Sequence, residues 1–164
     1  MKTIVFESLL DATKAIKNGE FQQIGTNYLE DFYSRSCIYL LIQEQIEGQP
    51  EIVYVGQTKS LGKRLGAHYD DANKEFDSFG YIFVKDELLD EMEAILISVF
   101  QPKYNGNGNN WYIKQMAKHM RIKSIHHLKK GYGVSAEKVN INTVIGILEC
   151  NGNIGKWMAQ NLEF

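Results

Sequence analysis

Arg64 and His68 stand four residues apart in KRLGAHY. On a helix both would project from one face, so an anion lying there would meet a guanidinium and an imidazole together. Taken alone, the same spacing also fits an ordinary solvated helix face. Glu93 lies among Met92, Ala94, Ile95 and Leu96, at the edge of an apolar stripe where an unpaired carboxylate is costly to bury. A boundary glutamate reaching water fits that position equally well. Tyr39 and Tyr54 fall one on each of two β-rich runs, where a tyrosine packs its ring and keeps its hydroxyl for a polar partner.

The elements that must position these groups can be read from hydrophobic period. SCIYLLI and IVYVG are strand-like runs joined by the polar segment EQIEGQPE, which predicts a hairpin with a long loop. Thr58 is a candidate N-cap for a helix through Lys63, Leu65 and Tyr69. DSFGYIFVK reads as a third strand. Leu88, Leu89, Met92, Ile95, Leu96 and Val99 then return to helical period until Pro102. Upstream, Leu9, Ala12 and Ile16, then Tyr28, Leu29 and Phe32, suggest two short helices separated near Asn18 and Gly19. The order β-β-α-β-α implies an α+β fold: a small three-stranded, mainly antiparallel sheet flanked by helices, with helical extensions at both ends. The expected divisions are residues 1–34, 35–112 and 113–164.

The whole chain sets further limits. With 44% hydrophobic and 23% charged residues and two prolines among 164 residues, the composition is that of a globular protein. Cys37 and Cys150 show no metal-ligand or disulfide spacing. That absence makes a reducing, cytoplasmic setting the expectation, and Glu7 and Asp11 interrupt the first apolar stretch, so no signal peptide or membrane span is expected. The net charge of −2 hides an uneven distribution. Seventeen of the twenty acidic residues lie at or before Glu93, whereas Ala94 to Ala136 has none and carries Lys103, Lys114, Lys118, Arg121, Lys123, Lys129 and Lys130. Such a stretch can track phosphates or form a solvated basic face. The last part, VIGILECNGNIGKWMAQNLEF, reads as helix, Asn-Gly turn, helix: a helical hairpin, or the first two helices of a helix-turn-helix.

Taken together, Cys37-Ile38-Tyr39 and Tyr54-Val55-Gly56 resemble the two tripeptides that name the GIY-YIG nucleases. Arg64 follows ten residues after Tyr54 in YVGQTKSLGKRL, and Asn105 follows twelve residues after Glu93 in EAILISVFQPKYN, similar to the family's arginine segment, metal-binding glutamate and Pro-Lys-Tyr-Asn ending. The resemblance covers about Ser36 to Asn105. Cys37 replaces the usual glycine, and Gln57 stands where some repair-type members carry a lysine.

This resemblance implies an endonuclease that hydrolyses nucleic-acid phosphodiesters, with Glu93 holding one Mg²⁺ or Mn²⁺ and Arg64 steadying the charge that develops on the phosphate. Tyr39, Tyr54 and His68 are the alternatives for the general base; a tyrosine of ordinary pKa, about 10, needs a nearby positive charge to ionise usefully at neutral pH. Asn105 is expected to fix the geometry of a tyrosine or of the backbone. The expected partner is DNA, with RNA open, contacted through Lys59, Lys63, Lys103, Lys114, Lys118 and Arg121. No membrane contact is expected, and the oligomeric state is open. A competing reading keeps the scaffold as a non-catalytic nucleic-acid-binding or adaptor module; a third draws on the acidic first half as a protein-contact scaffold.

Overall fold

A computed structural model of the chain describes residues 4–25, 35–106, 110–122 and 138–162. The fold is α+β and divides into two compact units, Met1–Glu93 with Pro102–Gly106 and Ala94–Gln101 with Asn107–Phe164. The elements of the first unit are β1 (Val5–Phe6), α1 (Leu9–Lys17), β2 (Gln22–Gly25), β3 (Cys37–Gln43), β4 (Glu51–Thr58), α2 (Leu61–Tyr69), β5 (Ser78–Val84) and a 3₁₀ turn over Asp86–Leu88 leading into α3 (Leu89–Phe100). The chain passes into the second unit within α3.

The sheet has five strands rather than the expected three. β3 is central, antiparallel to β4 on one side and to β5 on the other. The free edge of β5 takes β1 in parallel and β2 in antiparallel pairing. Backbone N–H and C=O groups along an open edge need partners, and two short segments flanking α1 supply them. Gln22 and Gln23 carry little strand signal because backbone bonds rather than buried side chains hold β2. The second N-terminal helix expected around Tyr28, Leu29 and Phe32 lies outside the described residues, as do Lys123, Lys129 and Lys130.

β3 is buried along Cys37–Ile42 because it has a strand on each side. Its alternation sends Cys37, Tyr39 and Leu41 to the face where Leu61 and Leu65 of α2 pack with Val53, Phe79 and Tyr81. Leu61, Leu65 and His68 form the buried stripe of α2 at helical spacing. Cys37 fits this core as a small apolar group: burial pushes its thiol up to about 12, so it packs rather than reacts. Helix α2 starts later than the sequence suggested. β4 runs on through Thr58, whose hydroxyl accepts from the Ser60 N–H at 3.0 Å, and Ser60 is the N-cap.

In the second unit, α4 (Trp111–His119), α5 (Ile141–Glu149) and α6 (Ile154–Asn161) each begin at an asparagine cap, Asn110, Asn140 and Asn153. The Asn-Gly turn between α5 and α6 is present, with φ of 54° at Asn151 and 75° at Gly152. Gly146 lies under the Trp157 indole, which occupies the space a side chain would fill. Among the described residues, no helix is long and apolar enough to cross a membrane.

Candidate active site

Five of the six chemically interesting residues collect around β4 in two groups. The first group is on the α2 side. Register pairs Tyr39 with Gly56 and Leu41 with Tyr54, so both tyrosines and Gly56 share a face. Arg64 and His68, one helical turn apart on α2, both reach the Tyr39 hydroxyl: His68 Nε2 lies 2.7 Å from it and the Arg64 Nε–H donates to it at 3.3 Å. Tyr54 stacks obliquely on His68, ring centroids 4.8 Å apart, and lies 6.0 Å from Tyr39. Gly56 is required here by space, since a methyl group on it would overlap the Tyr39 hydroxyl and ring.

Accessibility separates these groups. Tyr39 is 0% exposed and His68 5%, whereas Tyr54 is half-buried and Arg64 exposed. Burial, then the neighbouring Tyr54, holds the Tyr39 phenol above its ordinary range, with the Arg64 hydrogen bond pulling the other way. His68 is pushed down to about 4, chiefly by burial and then by the charges of Lys74 and Arg64. It is therefore neutral at pH 7. Arg64 is raised, first by its bond to Tyr39.

The second group contains Glu93, and it includes two residues that sequence reasoning had not linked to it. Gln57, next to Gly56 but on the opposite face of β4 by alternation, donates from Nε2 to Asp90 Oδ1 at 2.7 Å and to Glu93 Oε2 at 2.9 Å. Asp90 and Glu93 sit three residues apart on α3, a spacing that puts two carboxylates side by side and was visible in the sequence. Neither has an ion-pair partner among the described residues. Nor does any group of three or more His, Cys, Asp or Glu side chains gather to hold a metal among them. A cation here would draw one or two carboxylate oxygens and complete its shell with water and phosphate, a donor set that suits Mg²⁺ or Mn²⁺. The residues present fit such an ion.

Asn105 belongs to neither group's chemistry. Its side-chain oxygen accepts from the Val55 N–H and its amide donates to the Val55 carbonyl, both at 2.9 Å, while the Tyr104 N–H donates to the Val53 carbonyl at 3.0 Å. The segment thus closes the outer edge of β4 at the residue between Tyr54 and Gly56. Asn105→Ala is expected to lower stability by about 1–3 kcal/mol, because two backbone groups lose their partner. Urea unfolding would show it as a lower midpoint at constant slope, and an unchanged midpoint would mean that water replaces the amide without loss.

The basic residues are dispersed. Lys59 pairs with Asp86 at 3.1 Å, and Lys63 is exposed on α2. Lys103 donates to Gln43 at 2.8 Å, at the end of β3 away from Tyr39, a separation of about 13 Å along the strand. Lys114 and Lys118 are exposed on α4 in the second unit, and Arg121 is exposed just after it. Among the described residues, no hydrogen bond or ion pair joins Glu93 to Arg64, His68 or either tyrosine. The chain itself links the groups, since the Cα atoms of Gly56 and Gln57 are about 3.8 Å apart. Compared with protein-family models, curated proteins and solved structures, the chain matches none.

Proposed function

We propose that the chain is a divalent-metal-dependent endonuclease of the GIY-YIG type that hydrolyses DNA phosphodiesters, built on the antiparallel β4-β3-β5 core of the sheet. The observation that carries this reading is the meeting of Arg64 and His68 at the Tyr39 hydroxyl over Gly56, with Gln57, next in the chain, holding Glu93.

Hydrolysis requires a water oxygen to attack phosphorus, the bond to the leaving oxygen to break, and the water proton to be taken up. Of the three base candidates, Tyr54, acting as its phenolate, has the accessibility for that proton, while Tyr39 is sealed beneath it. Arg64 is exposed and anchored by Tyr39, so its charge faces an incoming phosphate without loss of orientation. Glu93, with Asp90 beside it, would hold the divalent cation, which when bound supplies positive charge against the phosphate and the departing oxygen.

The test is incubation of the full chain with labelled duplex, flap, junction and single-stranded DNA and with RNA, in Mg²⁺, Mn²⁺ or EDTA. Cutting that requires metal supports the reading. Cutting in EDTA overturns it, and binding with no cutting under any condition leaves a nucleic-acid-binding module.

Lys114, Lys118 and Arg121 are assigned to binding phosphates rather than to chemistry. Replacing all three with alanine should weaken DNA binding and flatten its salt dependence, the slope falling by about 0.9 for each phosphate no longer neutralised and by up to roughly 2.7 in all. Cleavage at saturating DNA should be unchanged. A fall in that rate with unaltered affinity would reverse the assignment.

A further inference from the structure

One charged group in the first unit has no part in the proposed chemistry. Lys74, on the connection between α2 and β5, places Nζ 3.1 Å from His68 Nδ1 and 4.5 Å from the centroid of the Tyr54 ring. Its side chain is 20% exposed, and its carboxylate neighbour, Asp71, lies at 3.7 Å. A lysine so enclosed beside an imidazole constrains where the imidazole keeps its proton.

We propose that Lys74 is a positioning residue: its ammonium fixes His68 in the Nε2–H tautomer, making His68 a hydrogen-bond donor to Tyr39 and removing it from proton transfer. An ammonium has three N–H groups and no lone pair, so it can meet Nδ1 only if Nδ1 carries no proton. The proton of a neutral imidazole is then on Nε2, 2.7 Å from the Tyr39 hydroxyl oxygen. Arg64 Nε–H donates to the same oxygen. Two donors therefore converge on Tyr39, whose own proton must turn away from both. The depressed pKa of His68, set first by burial and then by the Lys74 charge, is consistent with this, because a second N–H on Nδ1 would face a like charge. With one nitrogen protonated and the other occupied, His68 has no lone pair for a proton from attacking water. The consequence for catalysis rests on the nuclease reading and leaves Tyr54 as the base; the tautomer itself does not depend on it.

The tautomer can be read in the resting full-length protein, without nucleic acid or metal, from two-bond ¹⁵N–¹H correlations of labelled histidines near neutral pH. The sequence has four histidines, and His68→Gln identifies the signal by its loss. The expected result is a pyrrole-type Nε2 and a pyridine-type Nδ1 at His68. Lys74→Met should move population to the Nδ1–H form, and Lys74→Arg, which keeps charge and donors, should restore the wild-type pattern. In the cleavage assay, Lys74→Met should lower kcat about tenfold with KM within about twofold, again recovered by arginine. Nδ1–H in the wild type, or a Lys74→Met spectrum identical to wild type, overturns the proposal. If Lys74→Met does not fold, the wild-type and Lys74→Arg spectra still decide it. A chain that cuts no substrate yet shows Nε2–H at His68 supports the tautomer assignment while removing the nuclease reading.

Discussion

Glu93→Gln is expected to reduce cleavage in Mg²⁺ by about a thousandfold or more, roughly 4 kcal/mol of barrier, with the fold intact. The amide is nearly isosteric with the carboxylate, and its oxygen can still accept the hydrogen bond from Gln57 that Glu93 accepts at 2.9 Å. Local packing therefore survives while one negative charge is lost from the pair that would hold the proposed cation. Asp90 remains, so the site is weakened rather than erased, and excess Mn²⁺ should recover part of the rate by mass action. Arg64→Ala provides the contrast. Removing a positioned charge opposite a developing oxyanion costs about 3 kcal/mol or more, roughly a hundredfold in rate, and added metal cannot restore it. Circular dichroism and DNA affinity should be close to wild type for Glu93→Gln. Cleavage by Glu93→Gln at the wild-type rate in Mg²⁺ would remove Glu93 from the reaction.

Gly56→Ala should be nearly as damaging, through packing rather than charge. The added methyl group would overlap the hydroxyl and ring carbons of Tyr39, and Tyr39 has nowhere to go: it is fully buried beneath α2 and tied to both His68 and Arg64. Inserting a carbon into a filled core typically costs about 1–3 kcal/mol. The displaced phenol would carry Arg64 out of position, so a loss of about a hundredfold in single-turnover rate is expected beside the lower melting temperature. Tyr39→Phe removes the closest atom of the overlap. The double variant should thus be more stable than the sum of the two single changes implies, with activity still low. A Gly56→Ala protein with wild-type stability and rate would show that the tyrosine relaxes freely, and with it that the Tyr39 cluster does not orient Arg64.

The sequence by itself determined most elements and singled out Tyr39, Tyr54, Arg64, His68 and Glu93, five of the side chains found around β4. Strand period in SCIYLLI and IVYVG, helical period from Leu88 to Val99, and the turn at Asn151-Gly152 are local patterns, and local patterns survive in any tertiary setting that buries their apolar face. The i,i+4 spacing of Arg64 and His68 also carried over, because a helix alone places them on one side. Tertiary structure decided the rest. β1 and β2 were hidden because their stability comes from the unpaired edge of β5, far along the chain, where Val5 meets Phe83 and Gly25 meets Ser78. That Gln57 would hold Asp90 and Glu93 depends on where α3 meets the end of β4, and that Gly56 must be glycine depends on the register pairing it with Tyr39. Lys74 in DDANKEF carries no distinguishing pattern, and the loop after α2 is what turns it back onto His68. Hydrogen bonds between strands, helices and loops are set by register and by the path of the connections, and a one-dimensional pattern does not encode either.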